Sequence, residues 1–368
     1  MTHPVRLGVV QRVLTEYRAP LFDLLASTCV ETLGIFSGQP RSEENIAQAR
    51  GLEHARWTHG RNLHLFSGSA YLCWQAGLLS WLKELNPDVL IVEANPRYLY
   101  TPAAVRWMKY RRRPVIGWGL GAPASSGRLA ALRGWWRKRW AAQFDALITY
   151  SQKGAQEYQA LGFPAQRIFI AANAVTLRPQ NPPPNRPENF PAGQARVLFV
   201  GRLQERKRVD NLLRAAANLP PELRPLVTIV GDGPARPALQ QLASQVLPAA
   251  RFTGALHGSE LDALFTEADL FILPGTGGLA VQQAMAHALP VIVAEADGTQ
   301  TDLVREENGW QIPPADLPAL TECLKNALSD PQRLRRMGKQ SYRIVNEEIN
   351  LENMVKVFCQ AVKTVMEK

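Results

Sequence analysis

L-F-I-L-P-G-T-G-G-L-A-V-Q-Q-A-M-A-H-A-L-P-V-I-V-A-E-A-D-G-T-Q-T-D-L-V, residues 270–304, decides the fold. The apolar run Leu270 to Leu273 reads as a buried strand. Pro274 and the glycines Gly275, Gly277 and Gly278 break it, a helix-compatible run follows from Leu279 to His287, and Pro290 opens a second strand from Val291 to Ala294. Strand, glycine turn, helix and strand make one βαβ unit. Glycines at the C-terminal end of a parallel strand admit a ligand close to the backbone. The helix behind them offers free N–H groups and the positive end of its dipole, so the natural guest is a phosphate or diphosphate.

Two readings fit this turn. Gly275, Gly277 and Ala280 match the dinucleotide fingerprint G-x-G-x-x-G/A, with Glu295 where a ribose-binding acid belongs, which points to a nicotinamide-dependent oxidoreductase. The second reading rests on the rest of the chain, which decides between the two.

The alternation continues on both sides. In the second half, strands are expected at Arg196–Val200, Leu226–Val230, Arg251–Thr253 and Trp310–Ile312, with helices between them. Such short Val, Ile and Leu runs imply a parallel sheet covered on both faces. The first half repeats the pattern from Val5, with helices expected at Ala19–Ala26, Tyr71–Leu85, Thr101–Arg112 and Gly127–Gln143. Loops at the C-terminal ends of its strands bring Arg12, Glu16, Tyr17 and Arg18, then Glu93, Asn95 and Arg97, toward a ligand crevice; solvated turn residues are the alternative. The proline-dense stretch Arg178 to Gln194 excludes a helix or central strand and reads as a semi-rigid spacer between two domains.

Composition narrows the class. The chain has 368 residues with 46% apolar and 20% charged side chains, as in globular proteins, and no apolar run approaches the ~20 residues of a membrane span. The N-terminus lacks a signal-peptide pattern. Cys29, Cys73, Cys323 and Cys359 make neither a metal spacing nor a disulfide framework, so a reducing cytoplasm is expected; the histidines make no H-E-x-x-H cluster, so no protein-bound metal is expected. The net charge is +10, and the segment Arg106–Trp140 carries ten basic residues and no acidic one. Interleaved with Trp107, Tyr110, Trp135, Trp136 and Trp140, these cations suit an anionic membrane surface. The alternative is a core face of Leu129, Leu132 and Trp136 with a basic exterior; nothing else supports nucleic acid.

The second half carries further phosphate-type features. Strand Val197–Val200 ends in G-R-L-Q-E-R-K, placing Gly201, Arg202 and Lys207 at a strand mouth before a helix, where a diphosphate is held by charge-assisted bonds. The next strand ends in G-D-G-P, with Gly231 and Asp232, and the third in F-T-G followed by Ala255 and Leu256. The order G-R-L-x-x-x-K, G-x-G-P, F-x-G, A-D-L-F-I-L-P, glycine turn, A-M-A-x-x-x-P-V-I resembles the family-four retaining glycosyltransferases. Ala146 to Val175 is similar to the end of that family's N-terminal domain.

The resemblance implies an α/β chain of the GT-B fold: two Rossmann-like doubly wound parallel-sheet domains facing a cleft. Residues 1–177 would bind acceptor, 178–195 would link, 196–345 would bind the nucleotide sugar, and helix 346–368 would pack back on the first domain. Arg202 and Lys207 would neutralise the leaving diphosphate, the N–H groups around Gly277, Gly278 and Leu279 would contact phosphates, Ala255 and Leu256 would border the nucleobase, and Gln283 would face the ribose. The implied donor is a UDP- or GDP-linked sugar, the acceptor a saccharide or polyprenyl-linked glycan, with no cofactor and no metal. The chain departs from the pattern where Gly275 and Gln283 replace the paired glutamates and where Leu120 stands in a loop that holds histidine in many relatives. Those departures leave open a non-catalytic sugar-nucleotide-binding protein.

Overall fold

The computed structural model describes residues 5–44, 46–123, 127, 130–296 and 298–367. They divide into two compact units, Met1–Val175 with Leu351–Lys368, and Thr176–Asn350.

The first unit holds β1 (Arg6–Val13), α1 (Ala19–Thr28), β2 (Thr32–Gly38), β3 (Arg56–His59), β4 (Arg61–Leu65), β5 (Leu72–Ala76), α2 (Leu78–Leu85), β6 (Val89–Glu93), α3 (Thr101–Tyr110), β7 (Val115–Gly119), α4 (Ala130–Ala141), β8 (Ala146–Thr149), α5 (Gln152–Ala160) and β9 (Ile168–Ile170). The second holds β10 (Arg196–Val200), α6 (Val209–Ala217), β11 (Leu226–Val230), α7 (Arg236–Val246), β12 (Arg251–Gly254), α8 (Gly258–Glu267), β13 (Leu270–Leu273), α9 (Leu279–Ala286), β14 (Val291–Ala294), α10 (Thr299–Leu303), β15 (Gly309–Ile312), α11 (Leu317–Leu328) and α12 (Pro331–Glu347). The last helix, α13 (Leu351–Met366), belongs to the first unit.

Each unit is built on one parallel sheet. The seven-stranded sheet runs β3-β2-β1-β6-β7-β8-β9 and the six-stranded one β12-β11-β10-β13-β14-β15. The winding reverses between β1 and β6 in the first and between β10 and β13 in the second. In doubly wound sheets the ligand crevice opens at that reversal, outside the C-terminal strand ends. The central strands are apolar along their length because helices cover both faces: Leu270, Phe271, Ile272 and Leu273 are all buried.

Three expectations are corrected. Residues 71–85 are not one helix: β4 and β5 form an antiparallel hairpin, and α2 starts only after Gly77, whose φ of +89° a side chain resists. The β5 side chains alternate, with Cys73 and Gln75 buried and Trp74 outward, a period-two signal inside an apolar run.

The proline-dense stretch, expected as a semi-rigid spacer between domains, belongs to the second unit. All three nitrogens of the Arg186 guanidinium donate to carbonyls, of Ala268 (2.7 Å), Phe265 (2.9 Å) and Ala288 (3.1 Å), so the stretch is tied down along the second unit.

Cys29 and Cys359 form a disulfide, with Cα atoms 6.0 Å apart across a sequence separation of 330 residues. No local spacing encodes a bond of that range; the return of α13 onto α1 creates it. The cysteine count therefore no longer points to a reducing compartment. Around this staple Phe358 meets Trp118 edge-on at 4.9 Å, and Met354, Val355 and Val362 are buried. Burying each such side chain contributes about 1.5–3 kcal/mol.

Candidate functional site

At the reversal point of the second unit, β10 and β13 present their C-terminal ends side by side. The β10, β11 and β12 ends are stitched by backbone bonds, from Gly201 N–H to the Val230 carbonyl (3.0 Å) and from Gly231 N–H to that of Gly254 (2.8 Å). Gly231, at φ +132°, has no room for a side chain, because a Cβ would strike the Gly201 carbonyl. Asp232 shapes its own turn: its carboxylate accepts from Gly233 N–H (2.7 Å) and from Arg236 (2.8 Å), and both bonds hold it below the usual carboxylate range.

Past Gly201, Arg202 is half-buried, and a single turn at residues 205–207 reaches across to the glycine turn after β13. Thr276 N–H donates to the Arg206 carbonyl (3.0 Å), the Arg206 guanidinium to Thr276 Oγ1 (2.9 Å), and Lys207 Nζ to the Thr276 carbonyl (2.7 Å). Burial first, and the neighbouring Arg206 charge second, push the Lys207 ammonium down to about 8. The glycines make this contact feasible. A Cβ on Gly277, at φ +123°, would strike Lys207 Nζ, and one on Gly275 would strike the Arg206 carbonyl and the Lys207 backbone.

Helix α9 opens directly behind, at Gly278, with no side chain capping it. Its first N–H groups, from Leu279 onward, and the Lys207 ammonium thus belong to one turn. Gln283 lies half-buried on α9, whereas its neighbour Gln282 is buried and donates to the Ile349 carbonyl (2.6 Å). Ala255 is exposed and Leu256 half-buried just beyond β12.

Sequence reasoning missed Gln300. It is 1% exposed on α10 and donates to the Gly277 carbonyl (2.7 Å), while its Oε1 is buried without a partner. The signal was Gly298-Thr299, a left-handed glycine opening a short helix, but five residues are too few for a periodicity to register.

In the first unit, β1 and β6 end together. The Arg12 backbone N–H donates to the Glu93 carboxylate, and the Arg12 guanidinium pairs with Glu44 at 2.8 Å. Burial raises Glu93 to about 7. Glu16 and Tyr17 are exposed, and the Asn95 side chain accepts from Arg97 N–H (3.1 Å), closing its own loop. Arg18 is not a solvated turn residue. It is 5% exposed, its guanidinium lies 5.1–5.2 Å from the rings of Tyr17, Trp118 and Tyr150, and it donates to Asn173 Oδ1 (2.7 Å). It is packed among these rings and away from bulk water. An arginine this deep is tolerated because aromatic faces and an amide oxygen replace water.

The basic segment also differs from its core-face alternative. On α4 only Ala141 is buried, while Leu132, Trp135 and Trp136 are 52%, 54% and 59% exposed; Leu129 lies outside the described residues. Tyr110 is 87% exposed at the end of α3.

Comparison with known proteins adds three findings. Residues 184–344 match the family model described as glycosyl transferases group 1, and residues 34–178 the one described as glycosyltransferase family 4. A GDP-mannose-dependent alpha-mannosyltransferase of Mycobacterium tuberculosis is 32% identical over 50% of this chain and 45% of its own length. A glycogen synthase of the same organism is 27% identical over 66% of this chain and 58% of its own, so the chain spans about half the length of these curated relatives. Anabaena HepE in complex with UDP-glucose superposes with a TM-score of 0.68 at 16% identity, covering 98% of this chain and 99% of that one.

Proposed function

Because this chain belongs to the family-four glycosyltransferases with the GT-B fold, we propose that it moves a sugar from a nucleotide-diphosphate donor to a saccharide or lipid-linked acceptor in cell-surface glycan synthesis. The observation that carries this is the strap of residues 205–207 over the glycine turn. Lys207 Nζ, 2.7 Å from the Thr276 carbonyl, lies at the open end of α9. In transfer the C1–O bond breaks and charge builds on the leaving diphosphate. Fixed cations and N–H dipoles at that spot stabilise it, typically the largest catalytic term. Arg202 and Lys207 take this role, with N–H groups of Gly278 and Leu279 beside them.

The donor is a UDP- or GDP-linked hexose: one relative is named for GDP-mannose, and a protein of like fold was crystallised with UDP-glucose. Transfer proceeds with retention, by front-side attack and without a resident metal. Arg12, Glu16, Tyr17, Arg18 and Asn95 are the acceptor-side candidates. The exposed tryptophans of α4 and the cations around them dock the enzyme on an anionic bilayer, where a polyprenyl-linked acceptor is found. No helix among the described residues is long and apolar enough to cross a membrane, which fits peripheral attachment.

A binding protein without turnover is the second reading, favoured by Gly275, where no acidic side chain fits. Incubation with a panel of UDP- and GDP-sugars and a lipid-linked acceptor separates the two. Acceptor-dependent release of UDP or GDP supports transfer, nucleotide binding without release supports the second reading, and absence of binding rejects both.

A further inference from the structure

At the other end of the second unit's sheet is a cavity of about 520 Å³. Pro290 and Asp269 immediately precede β14 and β13, whereas the glycine turn follows β13, so a strand's length of roughly 13 Å separates the two places. Four cations line the cavity, Arg186, Arg335, Arg336 and Lys339, against one lining acid, Glu188.

The inner pair is under-neutralised. Asp269, 2% exposed, is the buried acid beside it; it meets Arg335 Nη2 at 2.7 Å and also accepts from Arg196 N–H at 2.8 Å. The Arg186 guanidinium donates to carbonyl oxygens rather than to a carboxylate. Arg335 donates Nε–H to the Pro187 carbonyl (2.7 Å), yet its Nη1 is buried with no hydrogen-bond partner. Burial and the nearby Arg335 push Arg186 down to about 10. Arg336 and Lys339 stand exposed at the rim, where Arg336 reaches Asp330 only at 3.9 Å. One buried carboxylate beside two guanidiniums, with two exposed cations at the rim, leaves the cavity a cationic excess that suits a dianion. Pro183, Pro184 and Leu334 supply an apolar wall beside it, and the volume suits a small organic molecule.

We propose that this cavity is a second anion site, distinct from the donor turn, that binds a small phosphate monoester: its phosphate meets Arg335, Arg336 and Lys339, and its organic body lies against the prolines. The site goes beyond the proposed transfer reaction and does not depend on it.

The test uses the full chain with two probes, inorganic phosphate and ribose 5-phosphate, read by thermal unfolding against sodium chloride of equal ionic strength. At saturating probe the midpoint should rise on the order of 5 °C, with half-saturation at lower ribose 5-phosphate than phosphate. The rise should vanish in Arg336→Gln/Lys339→Gln, both exposed and expected to fold normally, and persist in Lys207→Ala. Arg335→Lys, which keeps charge but loses the fork, should weaken half-saturation about tenfold. A rise no larger than that with chloride, a rise retained in the double variant, or one lost in Lys207→Ala would each overturn the proposal. A rise equal for both probes would leave a bare phosphate site and remove the monoester.

Discussion

The ammonium of Lys207 lies 2.7 Å from the carbonyl oxygen of Thr276, across the gap between two strand-end loops 69 residues apart in sequence. A cation held against a glycine turn by a single backbone acceptor keeps its other N–H donors for an incoming anion.

Replacing Lys207 with Ala should lower turnover about 100- to 1,000-fold, and Arg202→Ala should act in the same direction. Release of UDP or GDP measures it, with circular dichroism to check that each variant is folded. Undiminished rates would remove both residues from the reaction.

The same lysine predicts a pH profile. Its folded-state value, about 8, lies below the ordinary 10.5, so the ammonium is present below pH 8 and lost as pH rises through 8. Donor kcat/KM should therefore fall about tenfold per unit above that point. Lys207→Arg, whose guanidinium stays charged, should flatten this limb. A profile level to pH 10 in the unaltered protein would contradict the assignment.

Restoring the family's acid should fail. In Gly275→Glu the new Cβ meets the Arg206 carbonyl, backbone that cannot swing aside. We expect a loss of about 2–3 kcal/mol by urea unfolding and no gain in transfer. Gln283→Glu, half-buried on α9, should stay within about 0.5 kcal/mol of the parent.

Reducing the Cys29–Cys359 bond should destabilise the first unit by about 3 kcal/mol, a typical value for a bridge closing a long loop. Cys359→Ser, compared with the parent with and without dithiothreitol, measures this. A parent insensitive to dithiothreitol would show that the bond does not form in solution.

Flotation with vesicles of phosphatidylglycerol should carry the protein, and vesicles of phosphatidylcholine should not. Trp135→Ala/Trp136→Ala should weaken the binding about tenfold, and each nearby cation removed should cost about 1 kcal/mol. Equal flotation on both lipids would leave the basic segment without a membrane role.

Most of the fold was legible because parallel strands buried on both faces advertise themselves as short Val, Ile and Leu runs. The β4–β5 hairpin was hidden because residues 71–85 read together as one helix, and only the alternate burial of Cys73 and Gln75 sets β5 apart. The glycine turn after β13 and the helix behind it were legible from strand–glycine–helix order. What was not legible depends on what lies across from a residue. Arg18 reads as a loop arginine until Trp118, Tyr150 and Asn173 close around it. Gly275 reads as a lost acid until the strap of residues 205–207 is seen lying over it.

Helix α13 has a consequence for synthesis. A ribosome adding roughly 5–20 residues per second makes all of residues 176–350 after the first sheet has emerged, a delay of about 10–35 s before α13 exists. Throughout it the nascent first half carries Trp118 without Phe358, and α1 without the α13 helix that packs on it in the finished molecule. Until α13 is made, the first unit lacks one of the helices that bury it.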